Sequence, residues 1–144
     1  MFVVNYRNYH VSDDHVKEIL DRIASELGCV LCVTSGDRGK VPAGGAKNSL
    51  HLSHHAADFH CSGFTDAHGF DLIRARRNEI FGSTTGIAFR YQIIHHGRYT
   101  VTEAEHIHLG YVPDEADYRG NSRGFLVEGL TPATKGRYIA VERA

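Results

Sequence analysis

The sequence reads as an α+β domain with an antiparallel sheet, and three observations carry that reading. A helical repeat of apolar residues opens the chain, a continuous β-branched run follows it, and a second helical stretch gives way to several short strand-like segments. Strands that come in succession, rather than alternating regularly with helices, favour antiparallel pairing. The 144 residues suit one domain, 1–144.

Ser12 is the expected N-cap of the first helix, with Asp13 and Asp14 suited to the positive end of its dipole. Val16, Ile19, Leu20, Ile23 and Leu27 recur at helical spacing and Gly28 is placed to end the run, which predicts a helix over 13–27. Cys29 to Thr34 reads as a buried strand. Residues 35–50 hold four glycines and a proline and form a long loop, of the kind that is usually functional or mobile. A short strand is expected at 55–60. A second helix then runs from a cap at Thr65 or Asp66 to Phe81, with Phe70, Ile73 and Ile80 inward. After a turn at 82–86, strands are expected at 87–95, 98–101, 106–112 and 137–142.

Apolar residues make up 42% of the chain and charged residues 23%, enough for a core and too balanced for wholesale disorder. The net charge of −1 gives no surplus with which to neutralise phosphates, so nucleic acid is not an expected partner. No apolar run is long enough for a membrane-spanning helix. The first residues lack a signal-peptide pattern, which predicts synthesis in the cytoplasm. Three cysteines make no paired framework; Cys29 and Cys32 read as buried thiols of a strand rather than a redox or zinc pair. The glycines at 39–45 lack the lysine-serine ending of a phosphate loop.

The eleven histidines are the chemical clue. His51 and Asp58 can reach one cation if the chain turns between them, and the later cluster Glu105-His106-Ile107-His108 can add an imidazole. Two histidines and one aspartate leave a fourth position for water, the pattern of a catalytic zinc site. A carboxylate between Ala57 and Phe59 is costly to bury unless it is paired or metal-bound. Two acid-x-x-His registers exist in the late cluster, Glu105 with His108 and Glu103 with His106. In a regular strand His106 and His108 share a face while Glu105 points away, so Glu105 meets the metal only from the strand entrance or a bulge. His10, His15 and His68 read as solvated; His54, His55 and His60 flank the first motif. His95-His96 reads as a strand end before a turn, with a substrate-contacting or ligand-supporting role as the alternative.

Taken together, Ser35-Gly36-Asp37-Arg38, Ser49-x-His51 with Ala56 and Asp58, and His106-Ile107-His108-Leu109 resemble the signature of the zinc D-Ala-D-Ala carboxypeptidases. The related phage endolysins share it, and both share a fold with the amino-terminal domain of hedgehog proteins. The resemblance covers roughly residues 12–112. It implies a small antiparallel sheet with two main helices beside it, one Zn2+ per chain, and His51, Asp58 and His108 as its ligands. It also implies Glu105 as general base, Arg38 polarising or anchoring the substrate, and Ser49 as a substrate-contacting or supporting hydroxyl. Gln92-Ile93-Ile94 resembles the Gln-Leu-Ile of several phage-type members, which places Gln92 at the substrate. His54 stands where the family usually has glycine, and His106 where it often has an aromatic residue, so His106 becomes a pocket residue.

The expected function is therefore a zinc metallopeptidase that hydrolyses peptidoglycan stem peptides, as a D,D-carboxypeptidase or endopeptidase. It would act as a monomer that reaches the wall by phage-type or secretion-system release. The alternatives are a non-catalytic metal-containing binding domain of the same fold and a zinc hydrolase of another amide or ester.

Overall fold

Helix α1 (Asp14–Leu27) forms where the apolar spacing gathers Val16, Ile19, Leu20, Ile23 and Ala24 into one buried stripe. Its N-cap is Asp13 rather than Ser12: the Asp13 carboxylate accepts the Val16 N–H at 3.0 Å. A carboxylate adds a dipole interaction to the capping bond that a hydroxyl does not supply. Gly28 closes the helix at φ 63°, a left-handed conformation that suits glycine. The computed structural model describes residues 3–37, 55–82, 89–102, 104–113 and 123–142.

The second helical stretch is two helices, α2 (Asp66–Ala75) and α3 (Arg77–Phe81), where one was expected. Thr65 caps α2 by accepting the His68 N–H at 3.1 Å. The break falls at Arg76, φ −107° and ψ 22°. It redirects the chain so that Ile80 joins the same core as Phe70 and Ile73. Arg22 on α1 donates to the Ile80 carbonyl at 3.1 Å and ties the first helix to the third. Gly69 sits where a Cβ would lie 3.1 Å from Cys61 Sγ, so α2 approaches the sheet closely there.

Among the described residues seven strands make one sheet: β1 (Val4–Asn5), β2 (Leu31–Ser35), β3 (Ala56–Cys61), β4 (Tyr91–His96), β5 (His106–Tyr111), β6 (Gly124–Glu128) and β7 (Ile139–Glu142). Their spatial order is β1-β2-β3-β5-β4-β6-β7. The pairs β1–β2 and β4–β6 are parallel and the rest antiparallel. The α+β class holds, but the sheet is mixed and larger than the small antiparallel one expected. Two strands account for the difference. β1 has two residues, too few for a periodic signal, and β6 lies in a glycine-rich stretch whose partner is distant in the chain.

The strand expected at 98–101 is a turn, in which Tyr99 N–H donates to Gly129 O at 2.8 Å and Thr100 N–H to Gly97 O at 3.1 Å. Cys29 precedes β2 instead of lying in it; it is buried near Cys61, and Cys32 is half-buried.

Residues paired directly across neighbouring strands share a face of the sheet. Ala57, Leu109, Ile93 and Phe125 align across β3, β5, β4 and β6, as do Phe59, Ile107, His95 and Val127. This apolar face packs on the helices through Ile19, Leu20, Ile23, Phe70, Ile73 and Ile80. The opposite face aligns Asp58, His108, Ile94 and Leu126, and beside them His106, His96 and Glu128. Period-two alternation thus turns polar side chains of four strands to the side away from the helices.

Candidate metal centre

Asp58 and His108 are register partners on β3 and β5, and both are buried. His108 Nδ1 lies 3.1 Å from Asp58 Oδ1, and His108 Nε2 lies 3.0 Å from Gln92 Oε1. His106, two residues earlier on the same face, places Nε2 3.5 Å from Asp58 Oδ2 and Nδ1 2.6 Å from the Ala104 carbonyl. Both rings therefore have one nitrogen on an oxygen acceptor and the other turned toward the same carboxylate.

A neutral imidazole has one donor nitrogen. His106 donates from Nδ1 to Ala104 O and, when neutral, turns an Nε2 lone pair toward Asp58. His108 does the same from Nδ1 in the tautomer that donates from Nε2 to Gln92, and in the other tautomer it donates from Nδ1 to Asp58. Lone pair facing carboxylate is repulsive unless an imidazolium proton or a metal cation lies between them. The supporting oxygens on the remote nitrogens match the outer hydrogen bonds that orient metal-ligating histidines. Two donors at about 2.0–2.1 Å from one tetrahedral zinc stand about 3.3 Å apart, near the 3.1 Å between His108 Nδ1 and Asp58 Oδ1. The pair fits one edge of such a coordination shell.

Asp58, His106 and His108 do not complete a shell by themselves: among the described residues no group of three or more His, Cys, Asp or Glu is gathered to hold a metal. His51, Ser49, Arg38, His54 and the alternative acid Glu103 lie outside the described residues. The motif that leads to Arg38 begins beside the site, because Ser35 on β2 pairs in register with Asp58 across an irregularity between Val33 and Ser35.

Glu105 precedes β5 and is partly exposed, as expected for a strand entrance. Its Oε2 lies 3.1 Å from His95 Nε2. His95 belongs to the helix-side face, with its ring 5.7 Å from that of Phe70. The structure therefore brings Asp58, His108, His106 and Gln92 together and gives Glu105 a different partner.

One acidic residue of this face, Glu128, was not singled out from sequence. Glu128, at the end of β6, is fully buried. Its carboxylate accepts from His96 Nδ1 at 2.6 Å, from the Thr100 hydroxyl, and from the N–H groups of Val101 at 3.2 Å and Gly136 at 2.9 Å. Burial alone raises a carboxyl pKa, but the bonds from His96, Thr100 and Gly136 outweigh it and hold Glu128 below the usual range. Burial, followed by the neighbouring His106, lowers the pKa of His96 against the opposing pull of Glu128. The His96 ring stacks on His106 with centroids 4.5 Å apart and meets His108 edge-on at 6.3 Å. Tyr138, itself about half exposed, reaches the same ring edge-on at 5.9 Å. The only sequence signal for this group was His95-His96 at a strand end.

Among the described residues no helix is long and apolar enough to cross a membrane. No family model, curated protein or solved structure matches this chain.

Proposed function

We propose that this protein is a zinc-dependent peptidase acting on peptidoglycan stem peptides, as a D,D-carboxypeptidase or an endopeptidase. The observation that carries the metal part is the pair of imidazoles turned on the two oxygens of Asp58, each anchored through its remote nitrogen. Substrate class rests on the resemblance of the motifs, since a fold does not fix chemistry.

In this reading Asp58 and His108 hold the zinc and His51 is the third ligand. Bound zinc supplies an acidified water near neutral pH and a Lewis acid for the scissile carbonyl. Gln92 orients His108, and Ala104 O orients His106 at the edge of the pocket. Glu105 accepts a proton from the attacking water and returns it to the leaving amine, a role worth about 10²–10⁴-fold in rate. This role requires Glu105 to release its contact with His95 on the helix-side face. Arg38 shares the charge of the tetrahedral intermediate or pairs with a substrate carboxylate.

The Glu105–His95 contact also favours a second reading, a metal-containing binding domain without hydrolysis. Zinc stoichiometry and stem-peptide cleavage measured on the wild type and on Glu105→Ala separate the two. Lost turnover with retained metal supports the peptidase; no turnover in either protein supports the binding domain. If His108→Ala keeps full zinc and full activity, the metal assignment is wrong.

A further inference from the structure

The pair His96–Glu128 is not used by the hydrolytic scheme above, yet it is built with more care than a packing contact requires. Four donors converge on one buried carboxylate, and His96 supplies one of them from Nδ1. That bond fixes the neutral ring as the Nδ1–H tautomer and leaves Nε2 an acceptor. His96 is only 4% exposed, and among the described residues nothing hydrogen-bonds to Nε2. Nε2 is not among the buried unpartnered atoms of the described residues, so it is open at this face and can accept a hydrogen bond from a bound group.

The surroundings suit a peptide. His96 pairs across the strands with His106, two register positions along from His108 and Ile94 on the same face. Two residues of strand cover about 7 Å, and an extended peptide advances about 3.3–3.6 Å per residue. His96 lies on the neighbouring strand, about 7 Å along and about 5 Å across from His108. A peptide that crosses the strands obliquely from a scissile carbonyl at the Asp58–His108 pair thus brings a backbone amide two to three residues away over His96. Stacked His106 and edge-on Tyr138 form the walls of that position.

We propose that His96 is a substrate-positioning residue, held by Glu128 so that Nε2 accepts a hydrogen bond from a backbone N–H of the bound peptide. The proposal rests on the peptidase reading for its substrate class.

The test uses the zinc-loaded full chain, a peptidoglycan stem pentapeptide, and a set of the same peptide N-methylated at one amide at a time. His96→Ala is expected to raise KM about tenfold, the value of one net hydrogen bond, with kcat within about twofold and zinc content unchanged. One N-methylated peptide should bind the wild type as weakly as the parent peptide binds His96→Ala, and lose nothing further in that variant. Glu128→Gln, which loosens the tautomer, should give a smaller KM rise, and His96→Gln, which restores an acceptor, should recover part of it. Should His96→Ala not fold, the N-methyl series on the wild type and on Glu128→Gln decides the matter.

An unchanged KM, a fall in kcat alone, or loss of zinc from a folded His96→Ala would overturn the proposal. If the wild type cleaves no peptide, the peptidase reading fails, and calorimetric titration with the same peptides decides this one separately. N-methyl-sensitive binding that His96→Ala abolishes sustains it, and absence of peptide binding overturns it.

Discussion

His96 Nδ1 lies 2.6 Å from Glu128 Oε1, and the carboxylate it meets is fully buried at the end of β6. Glu128→Ala is expected to destabilise the protein by about 3–5 kcal/mol, because His96, Thr100 and two backbone N–H groups lose a shared buried acceptor. Urea denaturation at pH 7 measures it, and a loss below about 1 kcal/mol would place Glu128 in an ordinary surface role.

Acid should weaken the fold in two stages. Burial holds His96 below the ordinary imidazole range, so on acidification the unfolded chain takes up a proton first and stability begins to fall as pH drops through the free-histidine value of about 6.5. Glu128 is held below 4.5; its contribution is present above that value and is lost as pH falls through the depressed folded value. In both cases the unfolded state binds more protons, so stability rises with pH. Glu128→Gln should flatten the lower stage, as read from denaturation midpoints between pH 3 and 7.

Alkali acts through Tyr6 and Tyr91, whose hydroxyls burial pushes up to about 12. Above pH 10 the unfolded tyrosines ionise while the folded ones do not, so stability falls as pH rises. Absorbance at the phenolate band should show late titration for these two, and Tyr91→Phe should remove one late step and reduce the alkaline loss.

Gln92 offers a test of the metal centre that leaves its ligands in place. Gln92→Leu removes the oxygen that orients His108 through Nε2, and zinc affinity should fall about 10–100-fold. Competition with a chromophoric chelator measures it; unchanged affinity would show that His108 needs no such support.

Gly97 closes the turn after β4, where an added Cβ would stand 2.7 Å from the Gly129 carbonyl and 2.9 Å from Leu130 Cα. The facing Gly129–Leu130 backbone cannot yield cheaply, so Gly97→Ala should cost about 1–3 kcal/mol. A thermal midpoint equal to wild type would show that the turn can shift.

Where the signal was local, the sequence was legible. The spacing of Val16, Ile19, Leu20 and Ile23 and the stop at Gly28 specify α1, and Thr65 marks the start of α2, because helix hydrogen bonds and caps join residues a few positions apart. Asp58 could be flagged because a carboxylate inside an apolar strand needs a partner, and His106 and His108 because alternation puts them on one face. Pairing across the sheet was decided by tertiary structure. Nothing local announces that β6 lies parallel to β4, and that placement alone brings Glu128 to His96 across 32 residues of chain. The same holds for Glu105, whose neighbour His95 comes from an adjoining strand. Strand order and register are set by long-range burial and hydrogen bonding, so the partner of each polar side chain emerges only once the sheet has formed.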